Sequence, residues 1–365
     1  MTQSSFSFHE TSRQALEDRI AGFSPSIAKK FVPATNDRWV LASNLQKCIR
    51  RGLAESAVAT TTKLLTVDAS YCWRRLLVIG YEDIGLANPA LVHELLRTFR
   101  REAVHRELGP ERVAGYFAHA LATSRKSRAL CDAIAALEFS VRRDEYEQPC
   151  FGMTDQQLVA TACDTSALSL NRIAAMRHVA GYRIAERGSY RTATPARTEL
   201  MREIAGRMGL TEIETRLYQS GQNCSESMNV GLPLVAEVVR GVKDEHQLDL
   251  AFSGKHGILY AALDRHTRAG KRCLAKLSED KEVQRFFNRW PTIDPVAVLG
   301  TALFVVEGAT LDRWLECDDT IALRQQFDQE FIEYSGISPE HHLELLALTM
   351  NVLPKLNRLR AAEIA

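Results

Sequence analysis

The sequence predicts an all-α protein, and three observations support this fold class. Apolar residues recur at spacings of three and four along most of the 365 residues, as one buried helix face requires. Only 11 prolines and 20 glycines interrupt this pattern. Short β-compatible runs occur at 234–239 and 302–306, but the residues around them favour helix. Because 45% of the residues are hydrophobic, we expect a large core and two helical domains.

The first helices are predicted from periodicity and from their end signals. Apolar residues mark one face of the segment 45–65, and a strongly apolar helix follows at 73–79. This second helix is expected to break near Gly85. Asn88-Pro89 is a typical cap and first helical position, so a new helix should start there. Three further helices are predicted at residues 90–107, 110–123 and 125–137.

A charged stretch with a proline near its end, RRDEYEQPCF at 142–151, is the best candidate for a domain boundary. It divides the chain into an N-terminal extension at 1–38, a helical domain at 39–148 and a second helical domain at 149–365. The second domain is predicted to contain helices at residues 155–163, 166–187, 195–208, 211–220, 233–242, 257–277, 281–288, 295–306, 321–334 and 339–359.

The bulk composition excludes several classes of protein. Lys and Arg number 46 against 45 Asp and Glu, so a basic site for nucleic acid must be local rather than spread over the whole surface. The eight cysteines are scattered without a C-x-x-C pair, which is typical of reduced thiols rather than disulfides or zinc ligands. No leader pattern and no run of about 20 apolar residues is present. We therefore expect a soluble, cytoplasmic protein with no metal motif, and its cofactors, if it has any, stay open.

Three segments, in order, carry a resemblance to a known family. They are LQKCIRRG at 45–52, RRLLVIGYEDIGLANPALV at 74–92 and GYFAHALATSRKSRAL at 115–130. They resemble the helical C-terminal region of the RarA/MgsA/Werner-helicase-interacting-protein family of clamp-loader-like ATPases. In that family a Lys-x-x-Arg-Gly helix, an S-E-D-[IV]-G-L-A-[DN]-P segment and a Lys-Ser pair recur in the same order. The resemblance spans about residues 39–140, and it implies that the first helical domain is clamp-loader-collar-like.

Family members carry an ATPase domain before this region, but the present sequence lacks a phosphate-binding loop. Its Gly-Lys pairs, Gly254-Lys255 and Gly270-Lys271, are followed by His and Arg, and neither has a glycine where such a loop requires one. We therefore expect that the chain neither binds nor hydrolyses ATP. The resemblance implies a helical scaffold, a tendency to oligomerise and a DNA-processing context, and it leaves residues 150–365 without a counterpart.

Glu82 and Asp83 lie where an apolar helix ends and the chain turns at Gly85. One interpretation is a carboxylate pair for metal binding or general-base catalysis. The favoured interpretation is structural, with the carboxylates accepting backbone N–H groups or pairing with arginines such as Arg74 and Arg75. Gly85 is expected to serve folding, because a left-handed residue is commonly needed after a helix end.

The densest group of polar residues lies at 253–273. If Gly257 opens a helix, His266 falls on its apolar face, which suits either a core histidine or a catalyst. The Gly-Lys-His-Gly sequence before that start suits an anion, because free N–H groups and the helix dipole converge there. A solvated basic face is the alternative. The segment supplies candidate catalytic residues and candidate phosphate ligands, which are His256, Asp264 and His266, and Lys255, Arg268 and Lys271, respectively.

Two other segments are candidates for ligand contact. Residues 215–229 place hydroxyls and amides between two predicted helices, and such loops either line pockets or cap helices. The cluster within the resemblance at 125–128 is the candidate nucleic-acid contact, although arginine-rich helices at near-zero net charge are most often solvated faces. The candidate pocket residues are Tyr218, Gln219, Gln222 and Asn223, and the candidate nucleic-acid contacts are Arg125, Lys126 and Arg128.

Two functional hypotheses follow. The first is a DNA-processing protein on a clamp-loader-like scaffold, which binds DNA or nucleotide phosphates without ATP hydrolysis. DNA is its expected partner, and replication proteins, DNA-modification proteins and a second copy of the chain are further candidates. The second is an enzyme that transfers a group onto a nucleic-acid base or nucleotide, as in phage DNA modification, through the 253–271 cluster. Convergence of His256, Asp264, His266 and the 218–224 loop in one cleft would favour the enzyme, and their scatter would favour the scaffold.

Overall fold

The computed structural model describes residues 3–24, 29–99, 101–184, 190–192, 194–220, 228–240, 242, 245–248 and 250–364. Helices joined by short connections make up most of this part of the chain, so the predicted all-α fold is confirmed. None of the helices in these ranges has the length and apolar character that a membrane crossing requires.

The helices of the first half precede the first strand. They are α1 (Gln3–Gly22), α2 (Arg38–Arg50), α3 (Ala54–Ile79), α4 (Pro89–Phe99), α5 (Glu102–Leu108), α6 (Pro110–Thr123), α7 (Ala129–Glu138), α8 (Arg143–Glu147), α9 (Asp155–Cys163) and α10 (Ser169–Val179). The later helices are α11 (Thr198–Arg207), α12 (Glu212–Ser220), α13 (Leu232–Val239), α14 (Arg268–Ser278), α15 (Lys281–Phe287), α16 (Pro295–Leu303), α17 (Asp318–Tyr334) and α18 (His342–Glu363).

Six short strands form three antiparallel pairs within the described residues. They are β1 (Tyr182–Ile184), β2 (Tyr190–Thr192), β3 (Glu245–His246), β4 (Gly254–Lys255), β5 (Ile258–Leu259) and β6 (Trp314–Leu315). The pairs are β1 with β2, β3 with β6, and β4 with β5. Each pair is too short to form a sheet layer, so the strands serve only as local connections between loop segments.

The predicted helix at 45–65 is in fact two helices. The chain turns at residues 51–53, between the end of α2 and the start of α3. The predicted helix at 73–79 is the end of α3, which is interrupted at Asp68, where φ is −157° and ψ is 89°. The Asp68 side chain accepts the backbone N–H of Tyr71 at 2.9 Å, so it caps the second half of α3.

The turn after α3 has the positive φ that was predicted for Gly85. Residues Gly80–Ile84 form one π-helical turn, and Gly85 follows with φ of +48° and ψ of −126°. Asn88 then caps α4, because its Oδ1 accepts the N–H of Leu91 at 3.2 Å. The EDIGLANP segment is therefore a helix-to-helix turn with a glycine at its strained position.

The segment 253–271 differs from its prediction. β4 and β5 form a hairpin whose two turn residues, His256 and Gly257, both have positive φ, as a type I′ turn between strands requires. A short 3-10 turn follows, and α14 begins only at Arg268, where the Thr267 hydroxyl accepts the N–H of Gly270 at 2.9 Å. The predicted helix start at Gly257, and the anion-binding N–H groups expected there, are therefore wrong.

A large hydrophobic core joins residues from most of the described chain. Its buried apolar side chains run from Leu16 on α1 to Phe331 on α17. A second, smaller core lies between Cys273 and Leu356 and is built from α14 to α18. The larger core contains residues from both sides of the predicted domain boundary at residue 148, so the two predicted domains share apolar packing.

Candidate functional site

The N-terminus of α2 places an arginine and a tryptophan at the surface. The side chain of Asp37 accepts the backbone N–H groups of Trp39 at 2.8 Å and Val40 at 3.3 Å, and this cap starts the helix at Arg38. Residues 40–50 of the helix are all buried. Trp39 keeps 48% of its surface exposed. An exposed tryptophan offers a large apolar face to a partner.

A second helix start lies against the first. Asp68, which caps the second half of α3, also accepts a hydrogen bond from Arg38 Nη1 at 2.9 Å. The rings of Trp39 and Tyr71 meet edge to face, with centroids 5.5 Å apart. The Arg38 guanidinium lies 5.1 Å from the Trp39 ring and 5.5 Å from the Tyr71 ring, within cation–π range. Two helix N-termini, two aromatic rings and an arginine therefore form one surface.

Arg74 adds a second exposed cation one helical turn after Tyr71. We call Arg38, Trp39, Tyr71 and Arg74 the Trp39 surface. The Tyr71 N–H and the Arg38 guanidinium lower the pKa of Asp68, so its carboxylate is ionised at neutral pH. Arg38 and Arg74 face the two capping carboxylates, Asp37 and Asp68, so the formal charges of the surface balance. Arg74 is the exposed cation that contacts neither cap by a hydrogen bond in the described residues.

The three segments that carry the family resemblance meet at Asp83. Its fully buried carboxylate accepts from Arg50 Nε at 2.7 Å, Arg128 Nη1 at 2.8 Å and Gln46 Nε2 at 3.0 Å. The backbone carbonyl of Asp83 also accepts the N–H of Ser127 at 3.0 Å. We call Gln46, Arg50, Asp83 and Arg128 the Asp83 network. Each segment contributes at least one charged residue to it.

The electrostatics of the Asp83 network support its structural interpretation. Burial alone would raise the pKa of Asp83, but Arg50 and Arg128 lower it, so the carboxylate is charged. Its partners are these two arginines rather than Arg74 and Arg75. Arg75 reaches the network through Gln46, to whose Oε1 it donates at 2.6 Å. In the ranges that the structure describes, no cluster of three or more His, Cys, Asp or Glu could hold a metal ion.

The Asp83 network is completed by residues far along the chain. Arg50 Nη1 donates to the carbonyl of Gly308 at 2.5 Å, and the Arg50 carbonyl accepts the N–H of Asp312 at 2.7 Å. The backbone of Lys126 likewise pairs with residues 313–315. Residues outside the resemblance therefore satisfy the polar groups of residues inside it.

Two of the three predicted nucleic-acid contacts point into the protein. Lys126 is fully buried, and its Nζ donates to the carbonyls of Ala122 and Ser124 at 2.9 Å each. Burial lowers the pKa of Lys126 to about 8. Arg128 is committed to the buried network, and only Arg125 is exposed. In this conformation the cluster offers one cation to a phosphate rather than three.

Two of the predicted catalytic residues, Asp264 and His266, line a small cavity of about 20 Å³ together with Lys47. Asp264 Oδ2 accepts from Ser43 Oγ at 2.7 Å and from Lys47 Nζ at 2.5 Å, and Oδ1 accepts the backbone N–H of His266 at 2.9 Å. Burial would raise the pKa of Asp264, but Lys47 and His266 lower it, so the carboxylate is ionised. The cavity has room for about one water molecule.

The remaining residues of this segment do not join that cavity. His256 is exposed at the hairpin turn, where its carbonyl accepts the N–H of Ala34 at 3.0 Å. Lys255 is half-buried in β4. Arg268 and Lys271 are exposed on the first turn of α14, whose N-terminal groups are capped by Thr267.

The predicted pocket residues lie in another part of the fold. Tyr218 is fully buried, and its carbonyl accepts from Asn229 Nδ2 at 2.5 Å. Gln219 is half-buried on the same helix, α12, which packs on α4, α11 and α13, whereas Asp264 faces α2. The other two predicted pocket residues lie outside the described part of the chain, and they are Gln222 and Asn223. The described candidates therefore scatter, which favours the scaffold hypothesis.

The sequence interpretation did not identify the Trp39 surface. A local signal was present, because Asp37 precedes an apolar run and Asp68 stands three residues before Tyr71, and both are N-cap patterns. That these two helix starts lie together depends on the packing of α2 along α3, which no local pattern shows.

The comparison with protein-family models gives one match, over residues 55–162, to the model described as MgsA AAA+ ATPase C terminal. No match was found among curated proteins or among solved structures. The matched range contains Tyr71, Arg74, Asp83 and Arg128, but it leaves out α2. The resemblance predicted from the three segments is confirmed, since residues 55–162 are similar to the C-terminal domain of the MgsA AAA+ ATPases.

Proposed function

We propose that this protein is an accessory DNA-processing protein that binds single-stranded DNA at the Trp39 surface and does not hydrolyse ATP. The observation that carries the proposal is an exposed tryptophan that packs against Arg38 and Tyr71 where two helix N-termini meet, with the exposed Arg74 one turn after Tyr71. The DNA-processing context is part of this proposal: it is what the family resemblance implies, and the similarity of residues 55–162 to the MgsA AAA+ ATPase C-terminal domain is consistent with it.

The chemistry of the surface selects a single strand over a duplex. Aromatic rings and arginine planes bind unpaired bases by stacking, and nearby cations follow the phosphate backbone. The bases of a duplex have both faces covered by their neighbours, so Trp39 has no base face to stack on there. Arg38 already lies over the aromatic rings, and Arg74 is free to contact phosphate because it is exposed.

The alternative is an enzyme that transfers a group onto a base through the 253–271 segment, and it has less support. The cavity shared by Asp264 and His266 holds about one water molecule, which is too small for a base. Both oxygens of Asp264 already accept hydrogen bonds from the protein. Replication proteins, DNA-modification proteins and a second copy of the chain stay as candidate partners of the DNA-bound form.

Fluorescence anisotropy with a labelled single-stranded oligonucleotide tests the proposal. Trp39→Ala should weaken binding by about five- to 150-fold, which corresponds to the loss of about 1–3 kcal/mol of base stacking. Tyr334→Ala is the matched control, because Tyr334 is also an exposed aromatic residue, at 52%, and lies on α17. Circular dichroism checks that both variants fold. Wild-type affinity in Trp39→Ala, or tighter binding of the wild type to duplex than to single strands, would contradict the proposal.

A further inference from the structure

A cavity of about 320 Å³ lies beside the Asp83 network, between the start of α7, β6 and α17. This volume is at the lower end of the range for small-molecule sites. Leu248, Trp314, Leu315 and Ile321 give the cavity mostly apolar walls. Arg128 is the one predicted site residue that lines it, so the cavity is separate from the Trp39 surface and from the Asp264 cavity.

The polar part of this cavity contains an incompletely bonded carboxylate. Asp132 is only 3% exposed, and within the described residues its Oδ1 accepts no hydrogen bond. The neighbouring cations, Arg128 Nη2 and Arg324 Nη1, lie 3.6 Å and 3.8 Å from this oxygen, which is longer than a hydrogen bond. A buried carboxylate oxygen without a donor is costly, so a ligand that brings a donor gains binding energy there.

The charges around the cavity determine the class of ligand. Arg128 and Arg324 are balanced by Asp132 and Glu316, so the lining favours neither a phosphate nor a simple cation. Trp314 provides an aromatic wall, and its indole N–H is already donated to Glu316 at 3.0 Å. The ligand that fits this lining is therefore a neutral, flat ring, which packs on the apolar walls and carries a hydrogen-bond donor for Asp132.

We propose that this cavity binds a neutral planar heterocycle with an exocyclic amino group, such as the base of a single nucleoside. The ring packs against Trp314 and the leucine walls, and the amino group donates to Asp132. The site takes one base, whereas the Trp39 surface takes a strand. The two proposals are therefore independent, and either can fail without the other.

Titration calorimetry of the full chain with adenosine and with purine riboside tests this site, because purine riboside is adenosine without its amino group. Adenosine should bind saturably, and purine riboside should bind about tenfold more weakly or worse, as the loss of one hydrogen bond to a charged acceptor predicts. Asp132→Ala should weaken adenosine by a similar factor and leave purine riboside unchanged. That pattern separates a lost contact from a distorted pocket.

Two further variants keep the proposal testable if Asp132→Ala misfolds. Ile321→Arg places a long side chain at the mouth of the cavity, at a position that is already 36% exposed, and should abolish binding of both nucleosides. Asp319→Asn, exposed on the same helix, should change neither. The proposal is overturned by the absence of saturable adenosine binding, by equal affinity for the two nucleosides, or by wild-type adenosine affinity in Ile321→Arg.

Discussion

The Asp83 network and the Trp39 surface use arginine in opposite ways. Arg50 and Arg128 are each 3% exposed and share one buried carboxylate, that of Asp83. Arg38 and Arg74 lie at the surface, where their guanidinium groups can contact a phosphate group of a ligand. The difference shows that the density of arginines in a sequence does not locate a nucleic-acid site. The acceptors that the fold supplies to each arginine decide whether its charge is internal or available.

The strongest test of this contrast is Asp83→Ala. The substitution leaves Arg50 and Arg128 buried without their shared acceptor, so it should lower the free energy of unfolding by about 3–5 kcal/mol in urea denaturation. Glu94→Ala, which breaks the exposed ion pair with Arg19, is the control and should cost at most about 1 kcal/mol. Similar small losses in both variants would show that the Asp83 network does not hold the fold.

Gly85→Ala tests the turn that carries Asp83. A Cβ at this position would have room, since its nearest neighbour is the Ser127 carbonyl at 3.6 Å, so the cost comes from the positive φ alone. We expect a loss of about 1–3 kcal/mol in thermal or chemical unfolding. Gly22→Ala, which has open space around it and no positive φ, should be neutral or slightly stabilising. Unchanged stability together with weaker DNA binding would assign Gly85 to function instead.

The contribution of Asp328 to the free energy of unfolding should depend on pH. Arg324 contacts Asp132 and donates to Asp328 at 2.9 Å, and burial raises the pKa of Asp328 to about 6. A carboxyl with a raised folded-state pKa is fully favourable below its unfolded pKa of about 4, and this contribution is lost as the pH rises through about 6. Asp328→Asn should therefore stabilise the protein by about 1–2 kcal/mol more at about pH 7.5 than at about pH 4.

Denaturation at the two pH values measures this difference. Asp319→Asn, which removes an exposed carboxylate from the same helix, is the control at both pH values. A constant effect of Asp328→Asn across the range would mean that Asp328 titrates normally in the folded protein.

The smallest expected change in stability is that of Arg74→Ala, in the Trp39 surface. Arg74→Ala should alter the free energy of unfolding by less than about 0.5 kcal/mol, because no buried contact is lost. It should also lower the salt dependence of single-strand binding by about 0.7 in log–log slope, the value for one phosphate contact. Arg285→Ala, on α15, is exposed and should leave the slope unchanged. Identical slopes in both variants would remove Arg74 from the DNA contact.

The predictable features of this molecule are the local ones. Helix periodicity gave the all-α class, Asn88-Pro89 gave the start of α4, and the structural interpretation of Asp83 followed from its position at a helix end. The hairpin at 254–259 was missed because His256 takes a positive φ that a non-glycine residue rarely adopts. The buried state of Lys126 and Arg128 depends on residues far away in sequence, so no pattern around residue 126 contains it.

The Arg50–Gly308 hydrogen bond joins residues 258 positions apart. In a chain made from its N-terminus, Arg50 is therefore synthesised long before its acceptor, the Gly308 carbonyl. Contacts of such long sequence separation form late, because the loop between them must close first. During synthesis we therefore expect residues 55–162, the segment similar to the ATPase family, to form a loosely packed intermediate. It reaches its native rigidity only when residues 308–315 emerge and dock against it.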